Sequence, residues 1–318
     1  MDQDQLKFLF VSVMLVLAVV GRGGKNNLRG SVAVKDIPAI NLTAQAQPVV
    51  LARELSLPLD FTKPALPHIK TGVSLEPVLK VKAAMAKDLD SDFDFYKYNF
   101  DLHWPFASLT KLISALVAIE NVGLDKKVTI SESAIATESI AGNLEVGEQY
   151  SVGELVKAML VVSSNDAAVA VAESFGYQNF IDEMQKKSQS LGMSQSIFTD
   201  PTGLSSHNRG TVGDLAKLVE YIYKNNPEIF KMTAQIRVNL FEDTKGSARE
   251  LLNINSFASS RPDFWGGKTG FTDRAGGNLI SIFNYRGHKI LFIVLGTDDR
   301  FGQTDLLYNW IKEAYTFD

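Results

Sequence analysis

The hydrophobic period of this chain changes character along its length, and that change limits what the 318 residues can fold into more than any single motif does. From Ser108 onward Leu109, Leu112, Ile113, Leu116 and Ile119 recur at three- and four-residue intervals, the spacing of one buried helix face, and Gly123 can stop the run. Beyond Lys268 the pattern is that of strands: Asn278–Tyr285 and His288–Gly296 are apolar, β-branched segments joined by Arg286-Gly287, a strong hairpin signal. Upstream, a strand beginning at Val81 and a second at Phe95–Tyr98 flank the turn-rich Asp88–Asp94 and predict another hairpin. In between, Ser151 and Glu154 form a capping box for a helix through Leu155, Met159 and Leu160, and Asp166 is placed to cap Ala167–Phe175. Val212–Lys224 predicts a further helix, Leu251–Asn255 an extended segment, and Gln303–Tyr315 a closing helix. Strand pair, helices, three more strands and a terminal helix make an α/β fold of the α+β kind. The expectation is an antiparallel five-stranded sheet flanked by helices, with an all-helical subdomain at about 112–250.

The first third of the chain is different. Phe8–Val20 is an apolar run broken only by Ser12, about as long as a signal-peptide core and shorter than the roughly 20 residues that span a bilayer. Asp2 and Asp4 precede it where positive charge is usual, so residues 1–21 read as a retained membrane anchor ahead of a cleaved signal or a buried apolar helix. Either of the first two places the remainder on the extracytoplasmic face of the membrane or in the periplasm and cell wall. Residues 22–79 carry Pro38, Pro48, Pro58, Pro64, Pro67 and Pro77, which break every candidate helix, and read as a tether to a catalytic domain at 80–318. The Asn41-Leu42-Thr43 sequon in this stretch reads as chance.

Composition removes several function classes. With 45% hydrophobic and 21% charged residues the chain buries a full core. A net charge of −4, with no basic cluster interleaved with aromatics, argues against nucleic acid as a partner; small or peptidic ligands fit better. Cysteine is absent, which excludes disulfides, thiolate catalysis and Cys-based zinc sites. The four histidines, His68, His103, His207 and His288, are scattered with no metal-ligand spacing, so no metal and no cofactor are assigned.

Three short strings then supply a complete set for acyl transfer: Ser108-Leu109-Thr110-Lys111, Ser163-Ser164-Asn165 and Lys268-Thr269-Gly270, read as S-x-x-K, S-x-N and K-T-G. A serine hydroxyl is a weak nucleophile until a base takes its proton, and three residues along a helix put Lys111 within reach of Ser108. Burial and the positive charge of Lys268 would lower the lysine pKa, as a lysine base requires. Ser163 would relay a proton to the leaving amine, and Asn165 would hold the substrate backbone or orient Lys111. Lys268 and Thr269, on a strand edge, would bind a substrate carboxylate, and Gly270 would let a ligand backbone approach. The amides of Ser108 and Phe271 are the candidate oxyanion donors.

Each string alone is weak. The chain holds a second K-T-G at Lys70-Thr71-Gly72 and a second S-x-N at Ser206-His207-Asn208, but the first lies in the tether and the second lacks a helix before it. Ser108–Lys111 is the only S-x-x-K. Ser-His-Asp catalysis through His103 or His207 lacks the nucleophile-elbow glycines. His103-Trp104 reads as packing beside the cleft, Asp92 and Asp94 as solvated turn, and Arg274 as a salt bridge or an aid to carboxylate binding.

From about Val81 to Asp318 the chain resembles the serine D-alanyl-D-alanine carboxypeptidases among the low-molecular-weight penicillin-binding proteins. Beyond the three strings, the resemblance is carried by P-F-A-S-L-T-K-L at 105 to 112, M-L-V-V-S-S-N-D-A-A at 159 to 168, F-T-D-P-T-G-L at 198 to 204 and G-K-T-G-F-T-D-R-A-G-G at 267 to 277. It implies the three-layer penicillin-recognising fold and removal of the terminal D-Ala from peptidoglycan stem pentapeptides through an acyl-enzyme at Ser108. It also implies β-lactams as covalent inhibitors and a membrane contact only through the N-terminal segment. The deacylating glutamate of β-lactamases, in an E-x-x-x-N setting, has no counterpart. Two departures stand out. Ser164 occupies a place where many members carry Gly, an exchange expected to narrow the cleft or change its polarity. The C-terminal β-domain and amphipathic anchor of many carboxypeptidases are expected to be missing after the catalytic domain, which keeps open the reading of a D,D-endopeptidase cutting peptidoglycan cross-links; the alternative of another class is a catalytically silent peptidoglycan-binding protein.

Overall fold

The computed structural model describes residues 68–317 apart from 73, 139 and 140, all within the compact unit Asp60–Asp318; the Phe8–Val20 segment lies outside the described residues. Its centre is one antiparallel sheet of β1 (Ala83–Asp88), β2 (Asp94–Tyr98), β3 (Phe264–Thr272), β4 (Gly276–Tyr285) and β5 (His288–Thr297), in the order β2-β1-β5-β4-β3. The β4–β5 hairpin turns on Arg286 and Gly287, both at positive φ (51° and 90°), the two-residue geometry whose twist matches the flanking strands.

Both faces of the sheet are covered, which is why its long strands read as continuous apolar runs rather than alternations. Ile290, Phe292 and Val294 of β5 pack with Leu307, Tyr308 and Ile311, while Leu291, Ile293 and Leu295 join the core of the helical side. Helices α1 (Lys111–Val117), α2 (Val152–Val161), α3 (Asn165–Phe175), α4 (Tyr177–Ser190) and α5 (Val212–Asn225) build that side, and α6 (Arg300–Ala314) covers the other face. The three layers and the five-stranded antiparallel sheet are those expected.

Several local expectations change. The subdomain between α1 and β3 is not all helical: Lys127–Thr129 pairs with Gln149–Ser151, and Arg237–Phe241 pairs with Ala248–Leu252 as a two-stranded ribbon. In that ribbon Val238 and Leu240 are buried while Arg237, Asn239 and Phe241 are exposed, an alternation visible in the sequence. Ser151 caps α2 as expected, accepting from Glu154 N at 3.2 Å, but the Glu154 carboxylate turns to Lys157 and Phe241 N instead of closing the box. The cap of α3 is Ser164, not Asp166: Ser164 Oγ accepts from Ala167 N at 3.1 Å.

The tether assignment also shortens. Lys70 bridges Tyr315 and Thr71 N donates to Ala314 O, so His68–Gly72 lie on the catalytic unit. Of the acidic pair, Asp92 is exposed as expected and Asp94 partly so, and Lys87 lies near both of them and Glu220.

Candidate active site

Ser108 sits on one tight turn, Ala107–Thr110, that runs into α1; the expected long helix is broken into this turn, the α1 segment and a wider turn ended by Gly123. Ala107 has φ of 48°, a conformation that a residue with a side chain keeps only when its surroundings enforce it. Those surroundings are specific. Asn278 of β4 donates to Pro105 O and Phe106 O at 2.8 and 3.1 Å and accepts from Gly296 N, while Phe106 N donates to Asn208 O. Gly203 lies so close that a Cβ there would come within 1.9 Å of the Ala107 oxygen. Gly270 is also tight against this turn, where a Cβ would stand 3.0 Å from Phe106 O and 3.2 Å from Ser108 N. Its lack of a side chain therefore serves the Ser108 turn, not only the approach of a ligand.

Lys111 is fully buried and its ammonium meets three oxygens: Ser108 Oγ at 2.9 Å, Asn165 Oδ1 at 2.6 Å and Thr202 O at 2.8 Å. Burial lowers its pKa to about 7, against the opposing pull of Asp200 and then Asp166. A neutral amine keeps two N–H donors and gains one lone pair. Asn165 Oδ1 and Thr202 O are acceptors only, so they hold the two donors and leave the lone pair facing the one partner that carries a proton, Ser108 Oγ. The Asn165 orientation is fixed from behind, since its amide nitrogen donates to Glu138 O at 2.8 Å. The Thr202 carbonyl is aimed by Asp200, whose carboxylate accepts from Thr202 N, Gly203 N and Ser205 N.

Ser163 occupies the turn between α2 and α3 at φ 62°, again left-handed, and accepts from Lys268 Nζ at 3.0 Å. Ser164 is completely buried and its hydroxyl is spent on the helix cap, so it does not narrow or line the cleft. Asp166, one residue past Asn165, is buried with both carboxylate oxygens unpaired among the described residues, and burial raises its pKa to about 6. Lys268 on β3 is 1% exposed; burial first, then Lys111 and Arg300, hold its pKa well below the usual lysine range. Its other partner is Thr269 O at 2.9 Å.

Above these groups opens a cleft of about 270 Å³ lined by Ser108, Ser163, Asn165, Thr269, Phe271 and Arg300 among others. Lys111 and Lys268 lie beneath its floor. The cation the cleft itself presents is Arg300, at the start of α6, whose guanidinium donates to Gly270 O at 2.9 Å. Gly267 N donates away from β4 to Thr233 Oγ1, and strand alternation turns the Phe271 amide the same way, off the free edge of β3. A larger cavity of about 530 Å³ opens beside the ribbon, but Lys157 and Arg237 in its wall are paired with Glu154 and Glu250 and no nucleophile lies there. Chemistry, not size, selects the smaller cleft.

All of the residues drawn from the three strings therefore converge. The bystanders do not: His103 meets Gln195, Trp104 donates to Ala275 O, and Arg274 meets Ser206 Oγ, none of them in the cleft wall. Thr202, Asn208, Asn278 and Arg300 went unnoticed as contributors. Thr202 lay inside the F-T-D-P-T-G-L string, and Arg300 stands three residues before the expected start of the closing helix.

A serine hydroxyl, an amine whose pKa burial brings to about 7 and a second buried lysine on a sheet edge are a set suited to serine acyl transfer on a three-layer fold. The D-alanyl-D-alanine carboxypeptidase family matches residues 71–299, and the chain belongs to that family, which makes it a hydrolase of the peptidase class. It is 27% identical over 268 residues to a D-alanyl-D-alanine endopeptidase of Pseudomonas aeruginosa, covering 81% of this chain and 86% of that one. It is 30% identical over 225 residues to the D-alanyl-D-alanine carboxypeptidase DacF of Bacillus subtilis, covering 68% and 57%. Among solved structures it is similar to penicillin-binding protein D2 of Listeria monocytogenes in its ampicillin-bound form, with a TM-score of 0.65, 28% identity and coverage of 74% and 99%. Membership in this cell-wall peptidase family makes the enzyme extracytoplasmic. Among the described residues no helix is long and apolar enough to cross a membrane.

Proposed function

We propose that this protein is a serine D,D-carboxypeptidase that removes the terminal D-Ala from peptidoglycan stem pentapeptides. One observation carries the reading: of the three partners of the Lys111 amine, only Ser108 Oγ can give it a proton. Ser108 Oγ attacks the carbonyl carbon of the penultimate D-Ala as its proton passes to Lys111 Nζ. The oxygen that gains charge is met by the amides of Ser108 and Phe271. Ser163 then passes its proton to the departing D-Ala nitrogen and takes up the one held by Lys111, so the C–N bond breaks, the lysine is neutral again, and Ser108 is left as an ester. Water activated by the same lysine hydrolyses that ester and restores the hydroxyl.

The D-Ala carboxylate is held by Thr269 and the Arg300 guanidinium, with Lys268 acting from below through Ser163. Its negative charge raises the affinity of Lys268 for a proton once substrate is bound, so the two lysines divide into one neutral base and one charged anchor. Asn165 supports this by orienting Lys111. The N-terminal segment at 1–21 serves as the membrane anchor in this reading, ahead of a cleaved signal, and the Pro-rich stretch behind it as the tether.

Fluorescent penicillin labelling tests the nucleophile. Wild type should form one covalent adduct and Ser108→Ala none; an undiminished adduct on Ser108→Ala would overturn the assignment. A second reading, cleavage of cross-links, is favoured by the endopeptidase name of the Pseudomonas aeruginosa relative, which this chain spans over 86% of its length. Digestion of monomeric pentapeptide and of cross-linked muropeptides separates the two: free D-Ala from monomers alone supports the carboxypeptidase, and loss of dimers supports the endopeptidase.

A further inference from the structure

The fold unites three residues that the catalytic cleft does not use. His68, Asp88 and His288 come from the segment before the sheet, the end of β1 and the start of β5, and one ligand atom from each lies within 4.8 Å of the others. The sequence separation of His68 from His288 hid the pair. Both imidazoles address the same carboxylate oxygen: His68 Nε2 is 2.7 Å and His288 Nδ1 2.9 Å from Asp88 Oδ2.

Asp88 is fully buried, and among the described residues no lysine or arginine pairs with it. A carboxylate taken out of water needs a compensating charge, and here only the two imidazoles, Ser91 Oγ and the Asp90 amide are in reach. The other ring nitrogen of His68 faces Thr316 O at 3.4 Å, the outer partner that commonly fixes a metal-bound imidazole. When Nδ1 carries the ring proton toward that carbonyl, Nε2 turns a lone pair toward Asp88 Oδ2, and a second ring proton or a metal ion is what can sit between them. Phe93, Phe95 and Phe317 pack around the His68 ring and keep water out, which strengthens any charge interaction inside. His288 remains partly exposed and gives an ion a way in.

We propose that His68 Nε2, His288 Nδ1 and Asp88 Oδ2 form a divalent-cation site suited to Zn²⁺. Two neutral imidazoles and one carboxylate match the donor preference of that ion, with a fourth position for water. Tetrahedral ligand bonds of about 2.0–2.2 Å place neighbouring donor atoms about 3.4 Å apart, so each imidazole has to draw back from Asp88 Oδ2 by roughly half an ångström or a little more to admit the ion. The site is remote from the cleft: Ile293 lies across β4 Ile280 from Lys268, and His288 is five residues further along β5. An ion there would clasp the chain where it enters the domain, because His68 is continuous with Lys70 and Thr71, which hold the C-terminal Ala314 and Tyr315.

The test is metal binding by the full-length chain, read by elemental analysis after desalting and by thermal unfolding with added Zn²⁺ or chelator. Wild type should retain one Zn²⁺ and unfold at higher temperature with the ion than after chelation. His288→Ala should weaken binding at least tenfold and erase the thermal difference, while His207→Ala, outside the cluster, should behave as wild type. Titration of wild type with Co²⁺ should give the visible absorption of a low-coordinate site, a readout that stands even if His288→Ala fails to fold. Equal Zn²⁺ retention by wild type and a folded His288→Ala, or a Co²⁺ titration without that absorption, would overturn the proposal and leave a hydrogen-bonded clasp.

Discussion

The same three letters stand in two places, and their fates differ completely. Lys268 of the K-T-G further along the chain is buried on β3, its amine directed to Ser163 and its pKa depressed by burial. Lys70 of the first is exposed, pairs with Glu76, and has its pKa raised by that hydrogen bond. The S-x-N copies divide in another way. Ser163-Ser164-Asn165 places Asn165 on the Lys111 amine, whereas Ser206-His207-Asn208 places Asn208 under the floor, where its amide oxygen accepts from Thr199 and Asp200 and its nitrogen donates to Thr110 and Asp200. Burial separates the two lysines but not the two asparagines, which are both buried and differ in what they touch. Lysine is strongly hydrated, and only where water is stripped away without a carboxylate partner does it become a base near neutral pH.

That contrast is broken most directly at Lys111. Lys111→Ala should lower the rate of acylation by penicillin by on the order of 10³-fold or more, with circular dichroism unchanged. Near wild-type labelling would mean that another base serves Ser108. Lys268→Ala comes next, with a loss of roughly 10²-fold expected for removal of one preorganised charge, while Lys70→Ala should stay within about twofold. Equal effects of the two substitutions would erase the distinction between the strings. Asn208→Ala should act first on stability, costing about 1–3 kcal/mol in chemical denaturation because the amides of Thr199 and Asp200 lose the fully buried acceptor they share. Unchanged stability would show that this loop is held by Asp200 alone.

Much of this was legible from residue types because the relevant forces are local. Arg286-Gly287 dictates a tight hairpin through its backbone angles, and S-x-x-K dictates proximity through helix geometry. What escaped depends on contacts across long separations or on atoms that no residue type announces. The third oxygen at Lys111 is the backbone carbonyl of Thr202, and any residue has one. Asn278 works from the opposite end of the fold by gripping two carbonyls before Ser108. Ser in place of the Gly of many family members predicts an effect on the cleft, but the backbone turns the Ser164 hydroxyl back to cap α3. That cap is worth about 1 kcal/mol, a contribution to α3 rather than to substrate choice.

The finest test of desolvation lies at Asp166, the buried carboxylate that Ser164 displaced from capping. Its negative charge favours the protonated form of Lys111, and Lys111 in turn lowers the Asp166 pKa against the larger upward push of burial. Acylation needs the neutral amine, so its rate should climb with pH along a limb centred near 7. Asp166 loses its proton at about 6, and the limb is therefore traversed with the carboxylate charged. Asp166→Asn removes that charge at nearly constant volume. The amine should then release its proton at lower pH, making the variant faster than wild type on the acid side of the limb and equal to it at high pH. Stability carries the opposite face of the same linkage. A carboxyl whose folded pKa is raised favours the fold below its unfolded value of about 3.9, and that contribution is lost as pH rises through about 6. The variant should consequently gain on wild type in thermal unfolding above pH 6 and not below pH 4. Second-order acylation rates measured across pH 5 to 9 decide the matter: an unmoved limb would mean that Asp166 and Lys111 are electrically independent, and that Asp200 is the carboxylate that opposes burial at the amine.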